Sequence, residues 1–600
     1  MRKSSWVLLL ILFVSAVLFV SCSPILTNHP SLEGNGEEAF LSVAPNKYGT
    51  YLAGRVAHMR RDFDAAVVYY KLAYAKDDTN SELIDKLYLL LASQGNIDEA
   101  AAYAKKAVES GSSNNFAAML LAIKQMHDGQ FTDAIKSLNN IKEPMYKALI
   151  APLLNAWNYA GLNNPKQAYA ELNKLGKDDQ IAKLHRAMIA DYLGQNREAS
   201  EFYRAILEDK NAEVSVRTLE IITNFYVRTD QKEQAVALMK LTLNSPVLES
   251  LLSNLREGIL KASSSEPPIL TSPQVGAAEG LFIIASTFRL EDILDLAHMY
   301  TALSVYMNPE YSTARILMAD IFSAREMYDE ANTFYDSIDK TDIAYYAAQM
   351  KKVTNLLRQE DYKGAEILLK SLSDDYDDMQ IYIRLGDILK HDNRFKEAIK
   401  YYDKALAKTA NEQDAWPIYY AKGVALSQNG QWQKAEESLL KAYGIKKHYL
   451  VLNHLGYTWM RQNQKVEEAF EMIIDAYNQV PYDPSINDSL GFALYNLGYY
   501  AQALTYLEKA VDLYPSSAVI SSHLGDAYWF AHRKNEARFQ WKHALGMKDD
   551  SGEISRDELK EKIRSGIAHE PSLTYDKDKI EALIQRIKKP GSFRRMIVRQ

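Results

Sequence analysis

Alanine recurs along this chain at Ala66, Ala100, Ala134, Ala168, Ala199, Ala235, Ala297, Ala331, Ala365, Ala398, Ala435, Ala469, Ala503 and Ala537, and most of the steps are 33 or 34 residues. A large apolar or aromatic residue stands four positions later at Tyr70, Leu138, Tyr203, Tyr335, Leu369, Tyr402, Leu439, Ile473, Leu507 and Trp541. A small residue and a large one separated by one helical turn fit the contact between two antiparallel helices. The small side chain permits close approach and the large one fills the space beside it. A single hairpin cannot bury its own apolar face, so each must stack on its neighbours. Fourteen such units predict an all-α array instead of a set of separate globular cores.

Composition agrees. The chain is 47% hydrophobic and 24% charged, which is the balance of a folded protein, and only 17 Pro and 26 Gly among 600 residues disfavour a turn-rich β architecture. A net charge of −7 supplies no broad cationic surface, so nucleic acid is not an expected partner. One cysteine excludes an intrachain disulfide and any multi-thiolate metal site. No phosphate-binding loop, HExxH or GxSxG sequence occurs, so neither a cofactor nor a metal is expected and the chain reads as non-enzymatic.

The clearest unit is "DSLGFALYNLGYYAQALTYLEKAVDLYP", with Leu490-Gly491, Tyr495, Ala503, Leu507, Ala510 and Pro515. The next repeats it with Leu524-Gly525, Tyr528, Ala537, Trp541 and Ala544. This spacing resembles the tetratricopeptide repeat. The resemblance implies a right-handed superhelical solenoid of helical hairpins. It also implies that first-helix positions five, nine, twelve and thirteen line a partner-binding groove. In the three most regular repeats these are Asn453, Tyr457 and Arg461, then Asp488, Phe492, Tyr495 and Asn496, then Ser522, Asp526, Trp529 and Phe530. Aromatic rings beside amides and carboxylates suit peptide capture, because rings bury large area at low entropic cost and polar groups fix orientation. Tyr495 fits packing between hairpins equally well. The Lys of tetratricopeptide domains that grip chaperone C-termini is missing from these repeats, which disfavours that ligand.

The N-terminus predicts location. Arg2 and Lys3 precede an apolar run from Trp6 to Val20 that is short for a membrane span, and Cys22 follows it directly. The stretch resembles the signal of bacterial lipoproteins, with Phe19 where Leu is usual, and implies a lipid such as palmitate on Cys22. An uncleaved signal anchor is the alternative. Residues 1–22 are thus a signal segment and 23–47 a linker, whose root-mean-square reach as a flexible coil is roughly 25 to 30 Å. Residues 48–245 form an N-terminal block of repeats. Residues 246–276, with "SSSEPPILTSP", read as a degenerate repeat and an exposed connector expected to flex. Residues 277–548 form a C-terminal block, and 549–600 a tail with a helix near Lys577 to Lys588 and a frayed basic end.

Two longer stretches, Pro267 to Phe322 and Leu452 to Gly498, are similar to the tetratricopeptide lipoproteins of Gram-negative bacteria, and within them to the outer-membrane adaptors of periplasmic carboxyl-terminal processing proteases. The resemblance implies a scaffold facing the periplasm that brings cell-wall hydrolases to a protease. A scaffold for a secretion or envelope-assembly machine is the alternative. A hydrolase or transferase using Asp488 or Asp526 is the enzymatic rival.

Overall fold

All fourteen register alanines are fully buried, and each lies on the second helix of its repeat. The large residues one turn later are buried with them, from Tyr70 at 1% exposure to Trp541 at 0%. The structure, a computed structural model, describes residues 47–588 apart from 61, 112–113, 145, 177, 210–213, 242–266, 410 and 548–553. Every regular element among the described residues is a helix, as the period requires. The expected signal segment with Cys22, nearly all of the linker, residues 246–266 of the connector and residues 589–600 lie outside the described residues.

Close approach within a hairpin depends on the first helix as well. A Cβ on Gly491 would stand 2.4 Å from Leu507 Cγ and 3.2 Å from the Ala503 carbonyl oxygen, and one on Gly525 would stand 2.5 Å from Trp541 Cδ1. Leu490-Gly491 and Leu524-Gly525 therefore mark where backbone meets side chain without room for a methyl group. The turn between helices repeats too. A left-handed residue precedes the alanine by five positions at Gly95, Gly129, Asn163, Gly194, Asp230, Asp292, Glu326, Glu360, Asn393, Gly430, Gly498 and His532. That conformation ends the first helix and reverses the chain. The turn before Ala469 departs from this register, with Asn463 and Lys465 both left-handed. Start signals are local: Pro484 opens its helix while the Asp483 carboxylate accepts from the Ile486 amide at 3.0 Å.

The chain divides into two compact units, Met1–Asp361 and Tyr362–Gln600. In the first, hairpins run from Lys47 to Leu241, and a further pair, Pro273–Leu290 with Leu294–Met307, does not extend the row outward. It packs against the first helices Ser81–Ser93, Asn115–His127, Ala151–Gly161 and Gln180–Tyr192. The division therefore does not fall at the expected connector. Where the connector is described, it is fixed: Asn224 Nδ2 donates to the Pro267 carbonyl at 3.0 Å, the Ile269 amide donates to Asn224 Oδ1 at 3.2 Å, and Leu270 is buried. Asn224 satisfies backbone groups that Pro267 and Pro268 leave without helical partners.

In the second unit, the helix Tyr362–Asp375 is followed by hairpins from Met379 to Gly546, then by helices Arg556–Ser565 and Lys577–Gln585. The expectation of a single helix in the tail is corrected here, since Arg556–Ser565 is a second one, while the basic end beyond Lys588 lies outside the described residues. Leu559 and Ile580 are buried, Arg586 pairs with Glu471 and with Asp475 at 3.0 Å, and the Asp576 amide donates to Glu467 Oε1 at 2.8 Å. Glu467 thus holds the tail.

Candidate protein-binding site

The first helices of the second unit carry the groove positions, and three of the expected residues meet there. The rings of Tyr457 and Phe492 lie 5.2 Å apart, and Phe492 lies 4.6 Å from the ring of His523. His523 Nδ1 is 2.9 Å from Asp488 Oδ1 and 3.0 Å from Oδ2. A carboxylate only accepts, so Nδ1 carries the proton, and Asp488 fixes the imidazole's tautomer and angle. The result is an aromatic surface, half-buried at Tyr457, Phe492 and His523, set on a buried acid.

The other expected residues are placed differently. Asp526 accepts from Trp541 Nε1 at 2.8 Å and from Lys562 Nζ at 2.9 Å, both within its own unit. Trp529 Nε1 donates to the Ile567 carbonyl at 2.9 Å, and its ring lies against Gly566, where a Cβ would come within 1.9 Å of it. The tail thus occupies both positions. Phe530 stacks on Tyr500 at 5.4 Å, next to Tyr495, whose hydroxyl pKa is raised by burial and then by Asp526. Asn496 Nδ2 donates back to the Phe492 carbonyl at 2.8 Å, and Ser522 is buried. Arg461 is exposed at the end of its helix, and Asn453 presents a buried Oδ1 with no protein donor. Behind Asn453, the ring of His454 meets Tyr420 at 6.2 Å, and burial lowers its pKa to about 4.

The corresponding face of the first unit is filled from within. A Cβ on Gly276 would stand 2.2 Å from Trp157 Cη2, and one on Gly280 would stand 2.7 Å from Leu153 Cδ2. Trp157 Nε1 donates to His185 Nδ1 at 2.9 Å, in an environment that drops the imidazole pKa to about 3 through burial. Tyr306 donates to Asp98 at 2.6 Å, and Gln274 Nε2 donates to the Met126 carbonyl at 3.0 Å. Arg217 Nη2 lies 2.6 Å from Glu279 Oε1, while the Tyr311 hydroxyl donates to Oε2. The buried carboxylate thereby has cationic and neutral donors, which burial of a charge requires.

Sequence reasoning missed the tail and this hairpin as occupants. The four-residue spacing of Gly276 and Gly280 was the available signal, since it leaves a smooth helix face. Among the described residues no His, Cys, Asp and Glu group is arranged to hold a metal ion.

Tetratricopeptide-repeat sequence models match residues 87–143, 350–415, 417–449 and 485–517, and the chain carries these repeats. A tetratricopeptide repeat-containing protein of Pseudomonas aeruginosa is 30% identical over 179 residues, which cover 24% of this chain. The match spans about 30% of that relative's length. Among solved structures, the Cut9-Hcn1 hetero-tetramer of the APC/C is 16% identical, with a TM-score of 0.35, over 88% of this chain and 98% of its own. A tetratricopeptide repeat protein from Parabacteroides merdae is 16% identical, with a TM-score of 0.34, over 42% of this chain and 97% of its own.

Proposed function

We propose that the protein is a non-enzymatic, membrane-tethered scaffold whose second unit captures a protein segment on the Tyr457–Phe492–His523 surface. The observation that carries this reading is the rigid setting of those rings. Asp488 holds His523, the rings hold one another, and the surface needs little ordering when a partner arrives. A peptide side chain seated on the rings buries apolar area.

The tether is the N-terminal segment, with Cys22 as the lipid-bearing residue at an outer membrane and the repeats facing the periplasm. The charged start, short apolar run and single cysteine support this. No helix among the described residues is long and apolar enough to cross a membrane. The partners on this reading are a carboxyl-terminal processing protease and its cell-wall hydrolase substrates, supported by the sequence resemblance over Pro267 to Phe322 and Leu452 to Gly498.

The test is affinity capture from native membranes with the parent and with Tyr457→Ala/Phe492→Ala. A processing protease or wall hydrolase recovered with the parent and lost with the double variant is the expected result. Recovery of secretion or assembly subunits instead would overturn the adaptor assignment, and equal recovery with both proteins would overturn the site.

A further inference from the structure

The helix Lys47–Met59 is the first among the described residues, and no described repeat stacks on its outer side. An end face of a repeat array is ordinarily polar because nothing stacks on it. Here Tyr48 is 70% exposed, Leu52 57%, Val56 48% and Met59 72%. Spacings of four, four and three residues put them on one stripe about 16 Å long at the helical rise. The stripe also carries charge of one sign. Arg55 lies within it, Arg60 stands at its end, and no acid occurs in the sequence between Glu38 and Asp62. Glu82, on the next repeat, is engaged by Tyr51 at 2.7 Å and Lys86 at 3.2 Å.

We propose that this stripe rests on an anionic lipid surface, with the helix lying in the plane of the membrane and its cations at the headgroups. Exposed aromatic and aliphatic side chains flanked by Lys and Arg on one helix are the composition of an interfacial helix, and charge complementarity selects anionic lipid. The inference rests on the tethered reading, in which the residues between Cys22 and Lys47, taken as a flexible coil, would allow a reach of roughly 25 to 30 Å from the bilayer. One short helix binds a bilayer weakly, so it acts as the second of two signals. The anchor supplies residence and the stripe sets orientation, which directs the first hairpin at the lipid.

The experiment is amide hydrogen exchange on the full chain with vesicles of phosphatidylglycerol and phosphatidylcholine, against vesicles of phosphatidylcholine alone. A terminal helix opens easily, so covering it has a large effect on its exchange. Exchange within Lys47–Met59 is expected to slow at least fivefold on anionic vesicles, with Lys577–Gln585 unchanged. Leu52→Asp with Val56→Asp abolishes the difference, and Arg55→Gln, which leaves the apolar residues in place, reduces it. Both apolar positions are exposed, Leu52 at 57% and Val56 at 48%, so the buried side at Gly54 and Ala57 is retained.

Equal exchange on the two vesicle types overturns the proposal. So does protection that appears without vesicles and is removed by Phe40→Asp with Leu41→Asp, because the chain's own preceding segment then covers the stripe. Protection that rises with protein concentration overturns it in favour of a second copy. Flotation of the same samples with neutral vesicles reads the tether separately. A chain that fails to float there has no anchor, while its exchange with anionic vesicles still judges the stripe.

Discussion

Gly276 lies so close to the indole of Trp157 that even a methyl group has no place between them, since its carbon would stand 2.2 Å from Cη2. The two residues are on helices far apart in sequence, and their contact joins the hairpin Pro273–Met307 to the first helices of the N-terminal repeats. Gly276→Val is expected to destabilise the first unit by about 1–3 kcal/mol through overpacking. Chemical denaturation followed by Trp fluorescence measures it, and an unchanged midpoint would show that the hairpin is loosely held.

The register alanines make a sharper demand. Ala503 is fully buried beneath Gly491, so Ala503→Asp places an unpaired charge in a closed helix contact. A loss of about 3–5 kcal/mol is expected for the second unit. A variant that melts with the parent would mean that the repeat register is wrong.

Much of this was legible in the sequence because a hairpin repeats its requirements. The alanine, the large residue one turn on and the Leu-Gly step recur within about 34 residues and concern neighbours. The two packed additions offer no such period. Gln274 meets the Met126 carbonyl across 148 positions, and Arg586 meets Glu471 across 115, so the pairs are linked only by tertiary structure. The cluster of rings was partly legible for the same reason. Positions five and nine of one repeat located Asp488 and Phe492, but the claim of the tail on Asp526 and Trp529 depends on Lys562 and Ile567, which lie past the last repeat.

That claim is testable. Lys562→Ala leaves the Asp526 carboxylate with Trp541 alone and removes one ion pair to the helix Arg556–Ser565. Limited proteolysis is expected to cut between Arg556 and Lys588 several-fold faster in the variant, with the repeats intact. Equal rates would show that the remaining contacts, Leu559, Ile580 and the Arg586 ion pairs among them, hold the tail without Lys562.

Acid should weaken the first unit through His185. Its imidazole, buried against Trp157, takes up a proton only near pH 3, whereas an unfolded histidine does so near 6.5. The folded pKa is the lower, so the contribution is fully present above about 6.5 and is lost as pH falls toward 3. Between pH 7 and 4 the loss is about 3 kcal/mol. Urea titrations at the two pH values measure it, and His185→Phe is expected to flatten the dependence.

The central claim is that the second unit presents its first-helix rings to a partner while the first unit has filled its own face. Site-specific photo-crosslinking in the native envelope tests it most directly, with the photoreactive residue at Phe492 or at Trp157. Crosslinks to another protein from position 492, and none from position 157, are the predicted result. Intermolecular crosslinks from position 157, or none from position 492, would contradict the account.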